Sequence, residues 1–386
     1  MRTCDDALLA DVRARLATVP AGAADLTDVV RDAVRRRGVV LGSHALERLV
    51  HDVRDATYGA GPLQTLLDEP GVTDVLVNGP RDVWIDRGDG LEPVPIDLGT
   101  DDDVRALAVH LAAAEGQRLD DASPVVDARL PDGTRLHAVV APVCPRGAIV
   151  SLRVLRPGSL PYTELVEAGM LPPGSSDLLP ALVTSRANVV VAGATGSGKT
   201  TLLAALLALV PADERIVVVE EARELVPTHP HVLHLLARRP NVEGRGEVTL
   251  ADLVRATLRM RPDRIVLGEC RGAEVRELLT ALNTGHDGGW ATLHANSAAD
   301  VPARLAALGA LAGLAPEAVA AQAAAALDAV VHVRRTAGHR HVAEVGIVAL
   351  DAGQLVVTPA LTWDGHGAPR RGPGWERLVD RLGEGP

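Results

Sequence analysis

The stretch GATGSGKTT, residues 193–201, contains Lys199, the only lysine among the 39 lysine and arginine residues of the chain. The segment fits the pattern G-x-x-x-x-G-K-[ST] of a phosphate-binding P-loop. It follows NVVVAG, an apolar run that predicts a strand, and it opens KTTLLAALLALV, which predicts a helix. This order of strand, motif and helix is the context in which the pattern binds nucleotide phosphates.

The chemistry of such a loop explains why one lysine stands among arginines. Glycines let the backbone curl so that successive N–H groups face a phosphate, and the helix N-terminus adds positive potential. A compact ammonium group at Lys199 reaches the β- and γ-phosphates, where the planar fork of arginine does not fit. We expect Thr200 to bind Mg²⁺ and Thr201 to lie near the α-phosphate. The predicted cofactor-binding residues are Gly193, Ala194, Thr195, Gly196, Ser197, Gly198, Lys199, Thr200 and Thr201.

Length and composition set the broad class of the protein. At 386 residues, two domains are expected, and a hydrophobic fraction of 47% without any Phe predicts cores of Ala, Val and Leu. The net charge is −11 and the sequence contains no basic domain, so direct nucleic-acid binding is not expected. Three distant cysteines form no disulfide framework, which fits a cytoplasmic protein. The apolar stretch 303–331 carries charged residues, so no integral membrane segment is expected.

Pattern changes along the chain predict five segments. Residues 1–57 show helical spacing and predict a helical extension, with Ser43 as an N-cap. Residues 58–156 mix short strands with a helix near 101–115 and predict a small α+β domain. The Pro/Gly/Ser-rich segment 157–187 predicts a linker with one or two short helices, and residues 359–386 predict a loose tail.

The remaining segment, 188–358, alternates apolar strands with helices. Such alternation predicts a mostly parallel sheet covered by helices, an α/β fold of the kind that carries P-loops. Late strands are predicted at VVHVRR, HVAEVGIVAL and QLVVTP, and no internal repeat is present.

Two predicted strands of this segment end in acidic residues. RIVLGECRG, residues 264–272, places Glu269 at a strand end, where a carboxylate can assist Mg²⁺ or water; capping of the next helix is the alternative. RIVVVEEARELV, residues 215–226, ends in Glu220 and Glu221, one of which can polarise the attacking water. A charged strand end without catalytic role is an equally good interpretation of this second pair.

Two histidines occur in NTGHDGGWATLHANS, residues 283–297. His286 and His294 are eight residues apart and no HExxH or Cys/His set accompanies them, so a zinc site is not expected. A neutral His at the γ-phosphate end of a nucleotide can sense its state by hydrogen bonding, while a purely structural role is the alternative.

Together these segments resemble the Walker A, Asp box, Walker B and His box of type II/IV secretion ATPases, most closely the CpaF/TadA-type ATPases of Flp/Tad pilus and conjugation-associated systems. GATGSGKTT, VVVEEARELV, the Walker B segment RIVLGECRG and NTGHDGGWATLHANS occur in the family's order. GPLQTLLDEPGVTDVLVNGPRDVWIDRGDGLE and DASPVVDARLPDGTRLHAVVAP resemble its N-terminal domain, so the resemblance covers roughly residues 55–350.

The resemblance implies a RecA-like ATPase domain behind a smaller N-terminal domain, with ATP and Mg²⁺ bound between them. It implies a homo-hexameric motor, peripheral at the cytoplasmic face of the inner membrane, that works with inner-membrane pilus or secretion platform proteins. Glu220 would activate water, Glu269 would assist Mg²⁺ or water, and His294 would sense the γ-phosphate. The family's phosphate-contacting arginines match Arg129, Arg135 and Arg153, with Arg156 as an alternative.

This sequence departs from the family pattern at a few positions. Glu221 stands where an Asp is usual, which leaves open whether Glu220 or Glu221 is the base. Cys270 and Trp290 stand where smaller or aliphatic residues are expected.

Three functions compete on the sequence alone. An ATP-hydrolysing secretion or pilus motor is favoured. A GTP-dependent protein needs an N-K-x-D base reader, which a chain with one lysine lacks, and the net charge of −11 disfavours a DNA translocase. An assembly scaffold that binds ATP with little turnover is disfavoured because both catalytic acids are present.

Overall fold

A computed structural model describes residues 26–36, 42, 46, 49–50, 60–88, 90–130, 132–154, 160–238, 240, 244–336 and 338–383. The chain divides into two compact units, Met1–Arg156 and Pro157–Pro386. Within the predicted helical extension, helix α1 spans Leu26–Arg36, whereas Ser43 and most of the second predicted helix lie outside the described residues. Among the described residues, no helix combines the length and apolarity needed to cross a membrane.

The first unit is an antiparallel sheet with a helix against one face. Thr100 caps the longer helix through a capping box with Asp103, which fixes where this helix begins. Its elements are α2 (Gln64–Asp68), β1 (Asp74–Gly79), β2 (Asp82–Asp86), β3 (Leu91–Val94), α3 (Asp101–Ala114), β4 (Val125–Arg129), β5 (Arg135–Val140) and β6 (Ala148–Arg153). The strands are ordered β3-β2-β1-β6-β5-β4.

Alternation along these strands separates a buried face from a polar one. Val75, Leu136 and Val150 point into the core together with Val104 of α3. The residues between them on the strands are mostly polar and partly or fully exposed. This is the pattern of an antiparallel sheet with one face packed and one face solvated.

The second unit contains the P-loop. Its first elements are α4 (Tyr162–Glu167), α5 (Leu178–Thr184), β7 (Val189–Gly193), α6 (Lys199–Leu207), β8 (Ile216–Glu220), β9 (Val232–Leu236), α7 (Leu250–Thr257), β10 (Arg264–Cys270), α8 (Val275–Leu282) and β11 (Trp290–Leu293). Its last are α9 (Val301–Leu311), α10 (Pro316–Ala326), β12 (Ala329–Thr336), β13 (His339–Asp351), β14 (Gln354–Thr362), β15 (Arg370–Arg371) and α11 (Trp375–Leu382).

These strands form one sheet, in the order β15-β14-β13-β12-β7-β11-β10-β8-β9. The pairs from β12 to β9 are parallel, and those from β12 to β15 are antiparallel. Val189 and Val191 of β7 face one hydrophobic core, while Val190 faces the other. Both faces are therefore buried, as the continuous apolar strands indicate.

The segment predicted as a linker packs as part of this second unit. Helices α4 and α5 contribute Leu165, Leu179 and Leu182 to the core on one face of the sheet. Tyr162 donates a hydrogen bond to the carbonyl of Ser176 at 2.6 Å. The proline and glycine residues that predict a linker instead separate two short buried helices.

The prediction of a loose tail from residue 359 was wrong. Strand β14 continues to Thr362, and helix α11 buries Leu378 completely. Arg381 of this helix forms an ion pair with Asp328, with N–O distances of 2.6 and 3.0 Å. The Gly/Pro-rich segment 365–374 is followed directly by a short amphipathic helix, WERLVDRL, whose apolar side chains recur at helical spacing.

Candidate nucleotide-binding site

Four parallel strands of the second unit end at the same edge of the sheet. Strand β7 ends at Gly193 and leads into the P-loop, and His294 directly follows β11. Glu269 is the penultimate residue of β10, and Glu220 is the last residue of β8. Because the carboxyl ends of parallel strands meet at one edge, residues from four separate motifs converge there.

The backbone of the P-loop requires its glycines. Gly193 has a φ of +154°, and a Cβ at this position would lie 2.3 Å from the carbonyl oxygen of Val333. Gly198 has a φ of +100° and precedes the helix. The first helical bond of α6 runs from the N–H of Leu202 to the carbonyl of Gly198, at 2.9 Å. The N–H groups of residues 199–201 therefore have no helical acceptor and point toward the loop.

Lys199 is buried inside this loop. Its Nζ donates to the carbonyls of Gly193 and Ala194 at 3.0 and 2.9 Å, and lies 3.4 Å from Nδ1 of His294. Burial lowers the pKa of the ammonium group, while the nearby Glu269 carboxylate raises it. The loop therefore holds the compact positive charge of Lys199 against two backbone carbonyl oxygens.

His294 joins Lys199 to the acid of β10. Its Nε2 contacts Oε1 of Glu269, while Nδ1 faces the lysine ammonium. An ammonium group only donates, so Nδ1 acts as an acceptor and the ring is the neutral Nε2–H tautomer. Burial and the Lys199 charge both lower the pKa of His294, consistent with a neutral ring. The structure brings Lys199, His294 and Glu269 into one chain of contacts.

Glu269 does not cap helix α8, which was the alternative to a catalytic role. The carboxylate of Glu274 accepts the N–H groups of Arg271 and Gly272 at 2.6 and 2.8 Å, ahead of that helix. Glu269 instead contacts Arg271 through Oε2 and His294 through Oε1. Its side chain faces the cations of the site.

Glu220 is held differently. It is 4% exposed, and its Oε1 accepts the N–H groups of Glu224 and Leu225 at 3.0 and 2.9 Å. A Cβ on Gly268 would lie 2.5 Å from Cγ of Glu220, so this carboxylate packs closely over β10. Its Oε2 lies 3.7 Å from Nδ1 of His234 and has no hydrogen-bond partner among the described residues.

The residues present fit Mg²⁺ and a nucleotide. The hydroxyl of Ser197 is buried within the loop without a hydrogen-bond partner among the described residues, as expected where a further polar group binds. Thr200 and Glu269 offer the oxygen donors that Mg²⁺ prefers. In the described part of the chain, no group of three or more His, Cys, Asp or Glu side chains is placed to hold a metal ion.

Two arginines near the site were missed by sequence reasoning. Arg271 contacts Glu269 and lies 3.5 Å from Oε2 of Glu221; its place directly after the acidic strand end was an available signal. Arg340 of β13 donates from Nε to the carbonyl of Gly196 at 3.1 Å. No local signal indicates Arg340, because it reaches the P-loop from 144 residues away.

The three candidate arginines of the first unit lie in one row across its sheet. Arg129 of β4 is the register partner of Arg135 of β5, which in turn pairs with Arg153 of β6. Arg153 also forms an ion pair with Asp74 of β1, at 2.9 Å. Register partners point to the same face, so three positive charges share the polar face of this sheet. Arg156 lies outside the described residues.

Comparisons with known proteins agree with this arrangement of motifs. A family model described as type II/IV secretion system protein matches residues 56–353. The chain belongs to the type II/IV secretion ATPase family. A putative conjugal transfer protein of Mycobacterium tuberculosis is 52% identical over 304 residues, covering 77% of this chain and 86% of the relative.

Two further proteins resemble this chain at lower sequence identity. The type IV secretion system protein VirB11 of Brucella suis is 32% identical over 276 residues, covering 65% of this chain and 76% of that protein. The crystal structure of the pilus retraction motor PilT with bound ADP is 22% identical, with a TM-score of 0.52, and covers 75% of this chain and 82% of PilT. The likeness to PilT shows a shared fold and confirms the predicted α/β class.

Proposed function

We propose that this secretion ATPase binds ATP with Mg²⁺ at its P-loop and hydrolyses it to power Flp/Tad-type pilus assembly or type II/IV secretion. The observation that carries the proposal is the chain of contacts from Lys199 through His294 to Glu269. Contacts among a P-loop lysine, a neutral histidine and a strand-end carboxylate are suited to phosphoryl transfer, which depends on positioning and electrostatics.

Each residue has a proposed role in binding. Lys199 and the backbone N–H groups of residues 193–201 hold the phosphates, and the lysine exchanges its carbonyl partners for phosphate oxygens. The hydroxyl of Thr200 and, partly through water, the carboxylate of Glu269 hold Mg²⁺. The ion, when bound, neutralises charge on the β- and γ-phosphates.

The same arrangement supports a proposed role for each residue in catalysis. Oε2 of Glu220 is the carboxylate oxygen available to accept a proton from the attacking water, since Oε1 is occupied by two backbone amides. Neutral His294 donates from Nε2 and reports whether the γ-phosphate is present. Arg129, Arg135 and Arg153 supply the positive charge that stabilises the transferring phosphoryl group.

The proposed working form is a homo-hexamer at the cytoplasmic face of the inner membrane, bound to platform proteins of a pilus or secretion machine. The protein does not bind nucleic acid directly, in keeping with its net charge of −11. The second candidate is a motor for conjugative DNA transfer, favoured by the name of the 52% identical mycobacterial relative. Affinity purification from native membranes, with identification of the bound inner-membrane protein, separates these two.

The activity is tested by steady-state ATP hydrolysis. The full chain should release phosphate from Mg·ATP, and Glu269→Gln should lower kcat at least about a hundredfold while nucleotide binding is retained, because only the metal and charge arrangement is damaged. Arg276→Gln, a half-exposed charge on α8 paired with Glu277, is the control and should hydrolyse ATP normally. A wild type no faster than Glu269→Gln, measured with its membrane partners present, would instead indicate a scaffold that binds ATP without turnover.

A further inference from the structure

Arg271 lies between two carboxylates at the ends of different strands. Its Nη2 contacts Oε2 of Glu269 at the end of β10. Its Nη1 lies 3.5 Å from Oε2 of Glu221, directly after β8. The Arg271 side chain is 45% exposed and that of Glu221 is 51% exposed, so both can move without repacking a core.

The contact of Arg271 with Glu269 competes with the proposed role of this carboxylate, which is to hold Mg²⁺. Oε2 pairs with Arg271, and Oε1 lies against Nε2 of His294 without a hydrogen-bond partner among the described residues. A divalent cation near Glu269 and a guanidinium group on Oε2 seek the same negative charge. Binding of the ion is therefore a competition with Arg271.

Glu221 offers Arg271 a second partner. Burial lowers the pKa of the Arg271 guanidinium, but the carboxylates of Glu269 and Glu221 more than offset this and raise it above its ordinary value. Movement of Arg271 from Glu269 toward Glu221 keeps the arginine paired and frees Oε2 of Glu269. The side chain of Glu221 already reaches Arg271, with 3.5 Å between its Oε2 and Nη1 of the arginine.

We propose that Arg271 competes with Mg²⁺ for Glu269, and that Glu221 receives Arg271 when the ion takes Glu269. Arg271 is in this sense a positioning residue that tunes how strongly nucleotide binding depends on Mg²⁺. The inference rests on the proposed nucleotide-binding function of the P-loop and adds a regulatory role for two residues outside it.

The test measures the coupling between Mg²⁺ and nucleotide in the full chain. The dissociation constant of a fluorescent ADP analogue is measured by anisotropy in EDTA and in saturating Mg²⁺. The coupling is the value in EDTA divided by the value in Mg²⁺. Arg271→Gln should raise this ratio roughly three- to fivefold, and Glu221→Gln should lower it by a similar factor, the range of a half-exposed ion pair. Arg276→Gln, with the same charge change and similar exposure, should leave the ratio unchanged.

The double variant Arg271→Gln/Glu221→Gln distinguishes transfer of Arg271 from a general change of local charge. If Glu221 acts through Arg271, the double variant has the ratio of Arg271→Gln alone, whereas independent charge effects add. Additive effects, or an unchanged ratio in Arg271→Gln, would overturn the inference and leave the proposed function intact. A wild-type chain that does not bind the analogue would overturn both.

Discussion

The ends of β8 and β10 lie next to each other in one sheet, and each presents a glutamate, yet the two carboxylates are held by different kinds of partner. Glu220 accepts two backbone N–H groups and is almost fully buried. Glu269 is bound by the side chains of Arg271 and His294 and is more exposed. One carboxylate is fixed by the main chain and the other by groups that can exchange partners.

This difference separates a carboxylate that is fixed in the packed fold from one whose partners can change. A carboxylate that satisfies buried amides cannot leave without exposing them to an apolar environment, so it is part of the fold. A carboxylate held by the side chains of Arg271 and His294 can change partners, because both side chains are partly exposed to solvent. We therefore expect substitution of Glu220 to lower the stability of the fold more than substitution of Glu269 does.

Lys199→Arg should give the largest effect, because it replaces the compact ammonium group beside His294 with a bulkier, planar cation. The planar guanidinium does not fit where Nζ donates to two loop carbonyls beside His294, so nucleotide affinity should fall about a hundredfold or more. Anisotropy of a fluorescent ADP analogue measures the loss, with thermal unfolding to confirm that the variant is folded. Normal ATP turnover in this variant would contradict the role given to the loop.

Arg135→Ala should have the next largest effect. This variant tests whether positive charges of the first unit act on the chemistry of the second. ATP binding should stay within about threefold of wild type while kcat falls about tenfold or more, because the charge is needed during phosphoryl transfer. Arg81→Ala, an exposed arginine of the same unit paired with Asp97, is the control. Parallel losses of binding and turnover would mean that Arg135 only stabilises its own unit.

Glu220→Ala and Glu269→Ala test the comparison directly through stability. Loss of the Glu220 carboxylate leaves the N–H groups of Glu224 and Leu225 without their acceptor, which should lower the free energy of unfolding by about 1–3 kcal/mol. Loss of Glu269 should cost less, since Arg271 retains Glu221. Denaturant midpoints without nucleotide measure both, and equal losses would remove the distinction between the two strand ends.

His332 of β12 gives the smallest predicted effect and shows what a buried titratable group does away from the strand ends. Burial, then the charge of Arg334, lower its pKa below the ordinary 6.5. The unfolded chain therefore takes up a proton at higher pH than the native state, so stability is full above about pH 6.5 and falls as the pH drops below it. His332→Gln should flatten the decline of Tm between about pH 7 and 5.5; an unchanged slope would exclude this origin.

The elements that the sequence predicted are those with strong local signals. The strands and helices around the P-loop were predicted because continuous apolar runs and the glycine motif carry local signals. Helix α11 was missed because glycine and proline surround it, and its anchor, the ion pair of Arg381 with Asp328, spans 53 residues. The helices of 157–187 were expected, but their burial in the core depends on contacts with distant strands.

The sequence by itself determined which residues are candidates for the chemistry: a single lysine in a P-loop, acids at strand ends and a histidine after a strand, each readable from neighbouring residues. Only the tertiary structure decided what those residues touch. Parallel pairing of β7, β11, β10 and β8 brings their carboxyl ends to one edge, and there the contacts of Glu220 with backbone amides and of Glu269 with Arg271 are set. Such contacts join residues that are distant in the chain, so no local pattern specifies them.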